Sequence, residues 1–84
     1  MKYVISYDLT APRQDYESLW AELRRLGAKP VLKSQWCVRR SNTTAASLRD
    51  HIGRFMDSDD RLLVTCLDNK SWASRRLINK ISDM

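Results

Sequence analysis

The chain of 84 residues has two cysteines, one histidine, two glycines and two prolines. Cys37 and Cys66 stand alone within apolar runs, and neither has a second cysteine or histidine at metal-ligand spacing. Four soft ligands in paired spacing are what a structural zinc site needs, so no zinc site is expected. Two reduced, buried thiols are the expected state, with a Cys37–Cys66 bridge between neighbouring strands as the alternative. No run approaches the ~20 apolar residues of a membrane span. The opening Met1-Lys2-Tyr3-Val4-Ile5-Ser6-Tyr7-Asp8 reaches a carboxylate too early for the apolar centre of a signal peptide. The expectation is therefore a cytoplasmic protein with no membrane partner.

Repeats, low-complexity segments and linkers are missing too. At 9.8 kDa the chain reads as one domain, residues 1–84, and a domain of this size buries roughly 60–65% of its unfolded surface. It has no room for a separate cofactor-binding half, and no organic cofactor is expected. The apolar share of 43% and charged share of 30% are those of an ordinary globular protein.

Charge is what the sequence does have. The formal net charge is +5, from 15 basic and 10 acidic residues. Between Lys29 and Arg54 lie six basic residues (Lys29, Lys33, Arg39, Arg40, Arg49, Arg54) and one acid, Asp50. The rest of the chain is balanced, so the excess belongs to this central stretch and suggests a polyanionic or acidic partner.

Residues 2–9 read as a strand, with Tyr3, Ile5 and Tyr7 on one face and Val4, Ser6 and Asp8 on the other. Thr10 offers a helix cap and Pro12 suits the first turn. Tyr16, Leu19, Trp20, Leu23 and Leu26 then recur at helical spacing until Gly27 stops the helix. Ala28 to Arg40 holds two short strands: Val31–Lys33, flanked by Pro30, and Ser34–Arg40. The second alternates, with Trp36 and Val38 opposite Gln35, Cys37 and Arg39. Ser41 to Thr44 form a turn and cap cluster before a second helix marked by Ala45, Leu48, Ile52, Phe55 and Met56 and weakened by Gly53. After the polar break at Asp57 to Asp60, Arg61 to Leu67 reads as a final strand, apolar on both faces as a doubly covered strand would be. Ser71 is a cap candidate for a terminal helix over about 71–82. The order β-α-β-β-α-β plus a terminal helix predicts an α+β, ferredoxin-like fold with a four-stranded antiparallel sheet, its core within 2–68. Two helices cover one sheet face only; a partner subunit or the last helix must cover the other, and a homodimer is expected.

Three short motifs, placed on this element order, resemble the CRISPR-associated Cas2 family and its stand-alone, SinR-like relatives. They are Val4-Ile5-Ser6-Tyr7-Asp8-Leu9, Ser34-Gln35-Trp36, and Asp59-Asp60-Arg61-Leu62-Leu63-Val64. The resemblance covers about residues 2–68. It implies a small homodimer that handles RNA or DNA, in which Asp8 faces its symmetry mate across the dimer axis and holds a divalent metal, Mg²⁺ or Mn²⁺. Some members of the family are metal-dependent nucleases and others are non-catalytic adaptors. Two features depart from the family pattern. Only Arg13 represents the arginines that often follow the aspartate, and residues 71–82 read as a helix where the family commonly has a strand added to the partner's sheet.

Asp8 is accordingly the candidate catalytic and metal-binding residue, at a strand end where sites are often built. Its plain structural alternative is an aspartate that shapes the loop leading to Pro12. Arg13, Arg39, Arg40, Arg49 and Arg54 are the candidate phosphate contacts, through charge and paired hydrogen bonds. Adjacent strand residues face opposite ways, so Arg39 and Arg40 share one patch only if the strand ends between them. Trp36 is expected as a core or interface aromatic rather than a stacking platform, and His51 as a helix-surface histidine without a catalytic companion. The function expected is nucleic-acid handling by a dimer, with metal-dependent phosphodiester hydrolysis as its catalytic form. The alternatives are a non-catalytic adaptor on the same basic surface and a toxin- or antitoxin-like interaction module.

Overall fold

The computed structural model describes residues 1–10 and 16–84. Its elements run β1 (Lys2–Asp8), α1 (Glu17–Arg25), β2 (Lys29–Leu32), β3 (Gln35–Arg39), α2 (Ala45–Gly53) and β4 (Arg61–Cys66). The strands form one sheet of order β2-β3-β1-β4. Each neighbouring pair is antiparallel, so the β-α-β-β-α-β expectation and its ferredoxin-like class hold.

Alternation along β1 decides which face is which. Tyr3, Ile5 and Tyr7 are buried, whereas Val4 and Ser6 are half-buried and Asp8 is exposed. The buried set meets Trp36 and Val38 from β3, Leu19 and Leu23 from α1, and Leu48 and Ile52 from α2 in one core. A side chain of this kind, fully buried, contributes about 1.5–3 kcal/mol through the area it removes from water.

The helix ends obey local rules. Gly27 takes φ +89, its N–H donates to the Arg24 carbonyl, and the Ala28 N–H reaches back to Leu23. That pair of bonds closes α1 in a Schellman turn, which requires a left-handed residue and so favours glycine. Thr44 starts α2 by accepting a hydrogen bond from the Ser47 N–H at 3.0 Å. Phe55 and Met56 lie beyond the end of α2 but still pack against the core. Thr10 is not the cap of α1. Its N–H and hydroxyl both donate to Asp60 Oδ1, at 2.8 and 3.2 Å, and α1 starts at Glu17. Pro12 lies outside the described residues.

Two further expectations need correction. Residues 71–82 do not form a helix; only a 3-10 turn at Ile81–Asp83 is present. Arg76 adopts φ 57, which breaks any helix through it. Edge strand β2 offers carbonyls that this segment satisfies instead. The Ile78 N–H donates to Val31 at 3.0 Å, Asn79 Nδ2 donates to Pro30 at 2.8 Å, and Lys2 Nζ donates to the Ile81 carbonyl at 3.0 Å. Ile81 then joins Val31 and Cys37 in a second small core on the sheet face away from the helices, with Leu67, Leu77 and Met84 around it. Secondly, β4 is not covered on both faces. It is an edge strand, its outward residues Arg61, Leu63 and Thr65 are exposed, and Leu63 is 63% accessible.

The cysteines are free. Cys37 pairs with Val4 across β1, and Cys66 pairs with Tyr3 on the other side. They therefore sit on opposite sheet faces with a strand between them. Burial pushes the Cys37 thiol above its ordinary pKa.

Candidate nucleic-acid interface

All six basic residues of the central stretch are exposed. Their placement follows from the fold. Lys29 is on β2, Lys33 occupies the β2–β3 turn, Arg39 ends β3 and Arg40 follows it. Arg49 lies on α2 and Arg54 at its C-terminal cap. Because α2 packs against β4 while β2 forms the opposite edge, a run contiguous in sequence is divided between two parts of the surface.

The charges are not equally available. Arg49 Nη2 is 3.0 Å from Asp50 Oδ1, the one acid in the stretch. Arg40 Nη1 donates to the Leu26 carbonyl at 3.4 Å, so it helps to close the end of α1, where a cation complements the helix dipole. Arg39 shares the parity of Cys37 and faces away from the helices, and strand β3 ends before Arg40. Arg39 and Arg54 are in no ion pair among the described residues. Arg13 lies outside the described residues.

Asp8 ends β1, and its side chain is 69% exposed. Its opposite number on β4 is Arg61, whose Nη1 lies 3.8 Å from Asp8 Oδ2. Among the described residues, that guanidinium is the cation the fold brings to Asp8. Arg39, in contrast, pairs with Lys2 at the far end of β1, about 20 Å away at the rise of a strand. The structure thus separates the candidate carboxylate from the candidate phosphate contact on the same face. Asp8 shares that face with Ser6 and Leu63, which are cross-strand partners. No group of three or more metal-ligating side chains occurs among the described residues. A hard divalent cation takes six or more oxygens, and one carboxylate is a poor fit, so the described donors of a single protomer do not make a metal centre.

Beside Asp8, Asp60 bonds both Thr10 and Tyr16. Its Oδ1 accepts from the Thr10 N–H and hydroxyl and from the Tyr16 hydroxyl at 2.9 Å, and its Oδ2 accepts from the Asp57 N–H at 2.9 Å. Burial would raise the Asp60 pKa, but these hydrogen bonds to the carboxylate outweigh it and hold the group below its ordinary value. The acidic motif before β4 was legible in the sequence; its bonding to Thr10 and Tyr16, 50 and 44 positions away, had no local signal.

The sequence reading also passed over a cluster at the same end of the sheet. Trp36 Nε1 and Trp20 Nε1 both donate to the Tyr7 hydroxyl oxygen, at 3.0 and 3.3 Å. Trp36 is 6% exposed and is a core aromatic, as expected. His51 is on α2 with Nε2 2.5 Å from Glu22 Oε2 of α1, a tie between the two helices.

The model of one protein family, that of the CRISPR associated protein Cas2, matches residues 1–75. The match spans every strand of the sheet and both helices, and it stops before the tail residues that bond to β2. It includes the β1 end with Asp8, the Asp60 carboxylate and the whole basic stretch. This chain belongs to the CRISPR-associated Cas2 family, whose members handle nucleic acid.

Proposed function

We propose that this Cas2-family protein binds RNA or DNA as a homodimer, through phosphate contacts from Arg39, Arg54 and the neighbouring cations of the β2–β3 hairpin and α2. The observation that carries this reading is the exposure of all six basic residues of the central stretch, with one ion pair, Arg49–Asp50, among them. Uncompensated exposed cations bind a polyanion chiefly by releasing its condensed counterions, without need of base contacts. The open sheet face bearing exposed Leu63 supports the dimer, because an apolar side chain on an edge strand gains by being covered. The test is fluorescence anisotropy with a labelled duplex and a labelled single strand at low salt. Replacing Arg39 and Arg54 together by alanine is expected to weaken binding to both by about tenfold or more. Unchanged affinity would remove the basic stretch from the interface.

A second reading is favoured by the exposure of Asp8 on that same open face. In it, two Asp8 carboxylates brought together in a dimer hold Mg²⁺ or Mn²⁺ and the complex hydrolyses a phosphodiester. The metal would supply Lewis acidity when bound; Asp8 would supply a donor oxygen, and Arg61 beside it would hold a substrate phosphate. Substituting Asp8→Ala is expected to abolish Mn²⁺-dependent cleavage and leave duplex affinity within about twofold. Equal cleavage by both proteins would assign the activity to a contaminant and leave binding as the function.

A further inference from the structure

Where β1 passes into Leu9 and β2 turns into β3, the surface holds an open groove of about 430 Å³, within the span of small-ligand sites. Tyr7, Trp20 and Trp36 line it together with Leu9, Arg24 and Lys33.

The hydrogen bonding of Tyr7 is incomplete in a specific sense. A phenol oxygen has two lone pairs and one proton, and an indole N–H is a donor only. Both indoles donate to Tyr7 Oη, at 3.0 and 3.3 Å, so both lone pairs are used. The proton remains, and no described residue accepts it. Tyr7 is 7% exposed and its hydroxyl lies on the groove wall, so a ligand that displaces water from the groove must accept this proton or leave a donor unmatched at a cost. The two cations beside it are also unmatched: Arg24 and Lys33 are exposed and their side chains form no ion pair or hydrogen bond among the described residues. A ligand that meets all these demands has a flat apolar body, acceptor atoms on its rim and negative charge. A purely apolar side chain would leave three groups unanswered, and a bare phosphate would leave the indole and leucine walls unused.

We infer that this groove receives one unpaired nucleotide at the end of a strand. Its base lies against the Trp20 and Leu9 side of the groove, a base carbonyl or ring nitrogen accepts from the Tyr7 hydroxyl, and the phosphate meets Arg24 and Lys33. The inference rests on the nucleic-acid-binding reading above and shares Lys33 with it, but it turns on Tyr7, Trp20 and Arg24, which that reading does not use, so the two can fail separately. It makes the protein a reader of strand ends as well as a binder of backbone.

The experiment compares a blunt duplex with the same duplex carrying one unpaired nucleotide, and adds a titration of tryptophan fluorescence with a nucleoside monophosphate. The overhang is expected to bind about tenfold tighter than the blunt duplex, in line with the worth of one base on an aromatic surface. Arg24→Ala should remove most of that preference and leave blunt-duplex affinity unchanged; its side chain is exposed and unpaired among the described residues, so the fold does not depend on it. Tyr7→Phe should lower the preference at least about threefold, its fold checked by circular dichroism. Saturable quenching by the monophosphate and none by orthophosphate would support a nucleotide site. Equal binding of blunt and overhanging duplexes would overturn the inference while leaving the backbone-binding reading intact. Equal competition by orthophosphate would overturn it too, as a plain anion site. Failure of both duplexes to bind, with no quenching by the monophosphate, would overturn both readings.

Discussion

Glu22 accepts two hydrogen bonds from Arg25, at 2.6 Å each, and lies against His51 Nε2. The Arg25 hydrogen bonds, followed by that of His51, lower its pKa from 4.5 to about 2. A carboxylate held below its unfolded value stabilises the fold above that value and loses the contribution as pH falls through the folded one. Stability is therefore expected to decline as pH drops from about 5 towards 2; the lowered Asp60 acts with the same sign. Urea unfolding across that range should show a shallower pH dependence in Glu22→Gln. A parallel curve would deny Glu22 the role. The Arg25 partner was legible at three-residue helical spacing, but His51 stands 29 positions away and read only as a surface histidine. In the apolar interior, Leu19→Ala is expected to cost about 2–5 kcal/mol by transfer loss and cavity formation, read from the urea midpoint. Its burial was plain from the periodicity of α1.

Strands and helices were legible where one pattern served one environment. The alternation in β1 and the 3-and-4 spacing in α1 each have one solution, and Gly27 marked a stop that the backbone then used. The tail was not legible for the opposite reason. Trp72, Leu77, Ile78 and Ile81 suit a helix face, yet Leu77 and Ile81 find burial without one, against Val31 and Cys37. Deciding between the two needed the free carbonyls of β2, which lie more than forty residues earlier and are a tertiary fact. The consequence is measurable. Ile81→Ala should open the small second core and raise the rate at which a thiol reagent modifies Cys37, followed by peptide mapping to separate it from Cys66. Cys37 is fully buried in the intact protein, and its raised pKa further suppresses the reactive thiolate. An unchanged rate would mean that the tail does not protect the sheet.

At the scale of the whole molecule, the fold changes the meaning of the charge. The sequence put an excess of five positive charges in one stretch, and the sheet order then divides that stretch between a hairpin edge and a helix over the opposite edge. The Asp8 end of β1 receives Arg61 and the groove cations instead. How two copies combine these surfaces was not legible, because the sequence specifies which residues are exposed and not which partner covers them. The central claim, binding driven by exposed cations, is tested most directly by the salt dependence of duplex affinity. Plotted logarithmically, the dissociation constant of the wild type should rise steeply with salt, by roughly 0.9 per phosphate contact. Replacing Arg39 and Arg54 should reduce that slope by about two contacts per protomer. A wild-type affinity indifferent to salt, or a slope that the double substitution leaves untouched, would contradict it.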